Sequence, residues 1–151
     1  MKIAVFPGSF DPITKGHVSI VRRSLPLFDK IIVAIGVNAD KSGYFPLEKR
    51  MDWIRQSFAD LPNVFVDNYN GLTVDYCKKM DASYLIRGLR TSADFEFERS
   101  VAQVNRKLDS SIETVFLLTL PEHVMITSSI VREVHRYGGN VQQFIPDQIS
   151  I

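Results

Sequence analysis

Ile3-Ala4-Val5-Phe6-Pro7-Gly8-Ser9-Phe10-Asp11-Pro12-Ile13-Thr14-Lys15-Gly16-His17 begins as an apolar run, breaks at a proline and a glycine, and crosses a turn-rich loop that delivers a histidine to a helix-length segment. Ile3–Phe6 shows no polar alternation, the pattern of a strand buried on both faces. Similar short runs return at Ile31–Ile35, Val64–Val66, Tyr84–Ile86 and Val115–Leu118. Between them lie segments of helical length. His17–Leu25 carries Val18, Val21 and Leu25 near helical spacing, and Leu47–Phe58 follows Pro46 and carries Met51, Ile54 and Phe58. Leu72–Met80, Ala93–Leu108 and Ser129–Tyr137 complete the set, the last stopped by Gly138-Gly139. Strand alternating with helix predicts an α/β fold, a single doubly wound parallel sheet, because parallel neighbours need a crossover connection. Ligands then belong at the carboxyl ends of the strands.

At 151 residues and 45% hydrophobic content the chain suits one domain, residues 1–151, and no repeat or linker divides it. Only the tail after Asn140 is loosely determined. A net charge of +1 argues against a nucleic acid or an anionic membrane as partner, and no basic surface interleaved with aromatics is present. No apolar run approaches the roughly 20 residues that span a bilayer. One cysteine excludes an intramolecular disulfide, and the first residues do not read as a leader, so a cytoplasmic location is expected. Cys77 shares a core face with Val74 and reads as a buried thiol. Three histidines and one cysteine without close spacing give no structural zinc site. His135 reads as solvated beside Arg132 and Arg136, and Phe95 and Phe97 as packing residues.

Three segments carry chemistry. The loop ending at His17 meets a helix start, where unpaired N–H groups and a partial positive charge favour a phosphate. Gly8 and Gly16 there allow close backbone approach. An ordinary turn with a surface histidine fits the loop equally. Arg87-Gly88-Leu89-Arg90 again ends a strand; two guanidiniums either splay onto different phosphates or are solvated ahead of a Thr91–Asp94 capping box. Glu98, one to two turns further on, could accept a ribose or adenine donor. In His123-Val124-Met125-Ile126-Thr127-Ser128-Ser129, hydroxyl residues open a helix, and capping there is compatible with anion binding.

Gly8-x-Phe10-Asp11-Pro12 followed by Thr14-Lys15-Gly16-His17 resembles the signature of the nucleotidyltransferase superfamily, whose usual form is His-x-Gly-His. Threonine in the first position looks like the phosphopantetheine adenylyltransferase branch, and Arg87-Gly88-Leu89-Arg90 with its acidic-aromatic continuation resembles the same family. Ile126-Thr127-Ser128-Ser129-Ile130-Val131-Arg132-Glu133 is similar to that family's Ile-Ser-Ser-Ser-x-Val-Lys-Glu, with Thr127 and Arg132 as departures. The matches run in order along nearly the whole chain.

The resemblance implies transfer of the adenylyl group of ATP to 4′-phosphopantetheine, with Mg²⁺, a homohexameric assembly and feedback by coenzyme A. It implies ATP contacts along Ser9, Phe10 and His17, along Gly88, Leu89 and Arg90, at Glu98, and along His123, Val124, Met125, Ile126, Thr127, Ser128 and Ser129. Acceptor contacts fall at Ser9, Lys41, Thr73 and Arg87. His17 is then the transition-state stabiliser at the α-phosphate, and Lys41 and Arg90 share phosphate charge. No carboxylate stands out as a Mg²⁺ ligand. Two rival readings remain: a related transferase with another phosphate acceptor, and a non-catalytic nucleotide-binding protein on the same fold.

Overall fold

The computed structural model describes residues 1–151. Its elements are β1 (Ile3–Gly8), α1 (Lys15–Ser24), β2 (Lys30–Gly36), α2 (Leu47–Ser57), β3 (Val64–Tyr69), α3 (Thr73–Lys79), β4 (Tyr84–Leu89), α4 (Ser92–Leu108), β5 (Glu113–Leu118) and α5 (Ser128–Arg136). The five strands form one parallel sheet in the order β3-β2-β1-β4-β5. The α/β expectation therefore holds, with boundaries shifted by a residue or two where caps decide them. Helix α1 opens at Lys15 because Thr14 caps it, and α5 opens at Ser128 because Thr127 does.

The sheet is covered on both faces. Val21 of α1, Met51 and Ile54 of α2 and Val131 of α5 join Phe6, Ile31, Val33 and Ile86 in the larger core. On the other face Val74, Tyr76 and Cys77 of α3 pack with Val5, Ile32, Ala34 and Leu85. The tail has no periodic signature, yet Val141, Ile145 and Ile149 are buried in the larger core. Lys15 donates its backbone N–H to the Phe144 carbonyl at 3.0 Å, so the tail is fastened to the start of α1.

Helix α4 departs from expectation: it has no fully buried residue, and Phe97, read as packing, is 68% exposed. Phe97, Val101, Val104 and Leu108 form an outward stripe at spacings of four and three, because no second layer of this chain lies beyond α4. Phe95 partly keeps its packing role, edge-on to Phe116 with centroids 6.1 Å apart. No helix is long and apolar enough to cross a membrane.

The feature that positions the site is a parting of two strands. β1 pairs with β2 over its whole length, and β4 pairs with β5 from Tyr84 to Leu89. β1 and β4 pair only at Ala4 with Tyr84 and Val5 with Leu85. Beyond those residues the strands separate toward their carboxyl ends, at the point where strand order reverses, and a crevice opens there.

Truncating Ile145, fully buried, should cost about 2–5 kcal/mol, the range for opening a cavity in a packed core. Denaturant unfolding of Ile145→Ala checks this; an unchanged midpoint would mean that the tail is not part of the cooperative unit.

Candidate active site

The crevice is a cavity of about 330 Å³ bordered by the β1 loop, the end of β4, the start of α4 and the start of α5. His17 lies in it, on the first turn of α1. The Thr14 side chain accepts from the His17 N–H at 3.4 Å, and the Thr14 N–H donates to His17 Nδ1 at 3.0 Å, a reciprocal capping box. Because Nδ1 accepts a backbone proton, the neutral ring carries its own proton on Nε2. Phe10 turns its backbone into the left-handed region (φ 43°), and its ring, only 2% exposed, packs edge-on against His17 at 4.9 Å. Anything Phe10 offers a ligand is thus backbone. Gly8, which lines the cavity, also makes room for that ring, since a Cβ there would lie 3.1 Å from it.

Burial, followed by the charges of Arg87 and Arg90, lowers the His17 pKa to about 4. At neutral pH the group is an uncharged N–H donor within a cationic wall.

Arg87 spans the parted strands. Its Nη1 donates to the Pro7 carbonyl at 2.7 Å, while Nε and Nη2 form a fork on Glu98 at 2.9 and 2.7 Å. Glu98, expected to accept from a ribose or adenine donor, lines the cavity with both carboxylate oxygens accepting from Arg87. Arg90 is held in turn by Asp94, whose Oδ2 accepts from both its N–H and Nε at 3.1 Å. Gly88 lines the cavity beside them, whereas Leu89 is buried behind it.

The α5 start closes the crevice. Ser128 donates its hydroxyl to the Pro12 carbonyl at 2.8 Å, and Thr127 accepts from Ile130 N–H at 3.1 Å. The backbone N–H groups of the first turn lack helical partners. Ile126, Thr127, Ser128, Ser129 and His123 line the cavity. Val124 and Met125 do not, and Met125 is 82% exposed. The His123 Nδ1 is buried with no hydrogen-bond partner.

Sequence reasoning placed Arg132 at the lysine position of the family motif but gave it no site role; it is a lining residue whose Nη1 donates to the Asp11 carbonyl at 2.7 Å and Nη2 to Ser129 Oγ at 3.2 Å. Its spacing of three and four from Ser129 and Ser128 places it on their face of the helix and was the available signal.

A second cavity of about 320 Å³ adjoins the first, with Pro7, Gly8, Arg87 and Glu98 in both walls. Thr73, its hydroxyl 2.8 Å from that of Tyr69, lines this one. Lys41 lines neither; it is exposed on the loop after β2, and Ser9 is exposed at the rim of the first. His135, expected to be solvated, is half-buried against Phe45, with Nδ1 2.9 Å from the Tyr44 hydroxyl, because α5 lays this face on the segment leading into α2. Cys77 is fully buried, and burial with the Asp109 charge pushes its thiol up to about 11, which removes it as a nucleophile at neutral pH.

The sequence pattern of the cytidylyltransferase-like family matches residues 5–134. Phosphopantetheine adenylyltransferase of Flavobacterium psychrophilum is 53% identical over 151 residues, covering 100% of this chain and 99% of the relative. The protein of the same name from Bacteroides fragilis is 45% identical over 97% of this chain and 97% of its own length. In structure the chain resembles a bifunctional NMN adenylyltransferase/ADP ribose pyrophosphatase from Francisella tularensis, with a TM-score of 0.76 and 16% identity over 98% of this chain. The chain spans 46% of that larger protein. A putative nicotinate-nucleotide adenylyltransferase from Vibrio parahaemolyticus gives a TM-score of 0.70 at 19% identity over 97% of this chain and 88% of its own length. At these identities the two structures speak for the fold alone.

The His17 shift yields a pH prediction. A folded pKa of about 4 lies below the ordinary 6.5, so this group's contribution to stability is fully present above pH 6.5 and is lost as pH falls toward 4. The His17 ring resonances should stay at neutral-imidazole positions down to about pH 5 in an NMR titration; a midpoint near 6.5 would contradict the buried, neutral assignment.

Proposed function

Since the chain belongs to the cytidylyltransferase-like family, we propose that it is a cytoplasmic adenylyltransferase that moves the adenylyl group of ATP onto 4′-phosphopantetheine, giving dephospho-coenzyme A and pyrophosphate. The observation that carries this reading is the neutral His17, held by Thr14 with its protonated nitrogen free, in a crevice lined by Arg87, Arg90, Arg132 and the α5 start. That is equipment for binding phosphates and for stabilising charge on one of them.

The acceptor is a phosphate monoester whose second pKa is near 6, so it is already an anionic nucleophile at neutral pH. One of its oxygens attacks the α-phosphorus of ATP, the bond from that phosphorus to the bridging oxygen of the β-phosphate breaks, and pyrophosphate leaves with the electron pair. The protein's work is alignment and charge stabilisation, with no general base. His17 donates to the α-phosphate oxygen as charge grows there, and Arg90 and Lys41 share the phosphate charge. The unpaired N–H groups at Ser128 and Ser129 receive the β- and γ-phosphates. Arg87, common to both cavities, holds the acceptor's phosphate while the pantetheine arm follows the second cavity past Thr73. Coenzyme A carries the same arm and competes there as feedback inhibitor. Lys41, outside the crevice, reaches the phosphates by movement of the stretch between Asn38 and Gly43, while Tyr44 and Phe45 stay anchored to Asp11.

The chain offers no group of three metal-ligating side chains; of the cavity carboxylates, Glu98 accepts through both oxygens from Arg87 and Asp94 through Oδ2 from Arg90. Mg²⁺ bound with ATP would be held chiefly by phosphates and water and would neutralise phosphate charge. The apolar stripe of α4 is the natural contact between copies in a homohexamer.

Pyrophosphate release should require 4′-phosphopantetheine and yield dephospho-coenzyme A, with no release on nicotinamide mononucleotide, flavin mononucleotide or ATP alone. Release with another acceptor would keep adenylyl transfer and discard the substrate; silence with every acceptor despite ATP binding would leave a binding protein. His17→Ala should lower kcat by on the order of 10²–10³-fold with little change in ATP affinity, and near-normal turnover would remove its role. Val104→Glu, on the exposed α4 stripe, should reduce the assembly by sedimentation; an unchanged mass would exclude this face as the contact.

A further inference from the structure

Asp11 is a buried carboxylate that the reaction described above does not use, and it meets three segments of the site. Its Oδ2 accepts from Tyr44 N–H at 2.7 Å and its Oδ1 from Phe45 N–H at 2.9 Å. Both donors end the loop that carries Lys41. Its own carbonyl accepts from Arg132, which also holds Ser129 at the start of α5. Just before it in the chain stand Phe10, which packs on His17, and Ser9, whose carbonyl accepts from Arg50 Nη1 at 2.9 Å. Arg50, also buried, donates through Nε to the Phe45 carbonyl at 2.9 Å, so it ties the same two segments from the other side.

The end of the Lys41 loop is also held by Phe45 in the core and by the Tyr44 hydroxyl, 2.9 Å from His135 Nδ1, but the stretch between Val37 and Tyr44 has little else to hold it. Val37 N–H bonds to the Tyr69 carbonyl, and after that come only the local turn bonds from Asp40 and Lys41 N–H to Asn38. The next backbone bond to a distant segment is the one to Asp11. Gly43 shows how closely the parts fit, since a Cβ there would lie 2.8 Å from Arg50 Nη2 and 3.0 Å from Asp11 Oδ2. A carboxylate buried with two N–H donors loses both when removed and leaves them without partners.

We infer that Asp11, braced by Arg50, is a positioning residue for Lys41: it sets the Lys41 loop on the His17 loop and through Arg132 registers both with the start of α5. A misplacement of about 1 Å in such a site costs on the order of 10²-fold in rate. The kinetic arm of this inference rests on the adenylyl-transfer reading; the structural arm does not.

The test is a double-mutant cycle with Asp11→Asn, Lys41→Ala and their combination, followed by pyrophosphate release. Asp11→Asn keeps shape and one acceptor oxygen, and should lower kcat by roughly 10- to 100-fold. In the Lys41→Ala background the same change should cost no more than about threefold, because the group it positions is gone. Independent, additive losses overturn the inference, as does a normal rate in Lys41→Ala. The second arm needs no substrate: trypsin should cleave after Lys41 at least about tenfold faster in Asp11→Asn than in the unmodified protein, because local opening governs such cleavage. Equal cleavage rates overturn the brace whatever the enzyme's substrate proves to be. If Asp11→Asn does not fold, Gly43→Ala presses on the same contact from the loop side and should accelerate the same cleavage.

Discussion

A parallel sheet that reverses its strand order must let two neighbouring strands send their crossovers to opposite faces, and here those strands are β1 and β4. They share two residue pairs and then separate. The separation strips the Pro7 carbonyl of a strand partner, and Arg87 supplies one from across the gap. One guanidinium thereby closes a backbone deficit, pairs with Glu98 and stands in the walls of both cavities. The helix starts that surround the crevice follow from the same reversal, since each helix begins where its strand has ended.

The electrostatics are balanced within that opening. Arg87 is paired with Glu98, Arg90 with Asp94, and Arg132 with a carbonyl and a hydroxyl. The cations are held in place before a ligand arrives, which reduces the ordering cost of binding a polyanion. They also make a second positive charge on His17 unfavourable, and burial acts in the same direction. The result is an uncharged N–H donor at neutral pH within a cationic crevice. Thr14 completes the arrangement by choosing the tautomer.

The architecture could be read from a few short segments. Ile3–Phe6 and its counterparts lack alternation because the central strands are covered on both sides, and the spacing between them leaves room only for crossover helices. The loops at His17, Arg87–Arg90 and Ser128–Ser129 could be placed at strand ends for the same reason, and those residues do meet at one crevice. The tail could not be read, because its buried residues Val141, Ile145 and Ile149 sit in turns whose conformation comes from the surface they cover. Phe97 was misread because hydrophobicity reports a tendency to be covered, and within this chain Phe97 only borders the second cavity.

The sequence by itself determined the alternation of strands and helices, the buried thiol and the three loops rich in arginine, hydroxyl and histidine groups at strand ends, since each depends on residue type and local spacing. Tertiary structure alone decided that Glu98 belongs to Arg87, that Arg132 joins the crevice, that Lys41 stands outside it, and that Asp11 links three segments through Tyr44, Phe45 and Arg132. Those facts rest on contacts between residues 11 to 121 positions apart, and no local pattern encodes which distant backbone group a buried side chain will meet.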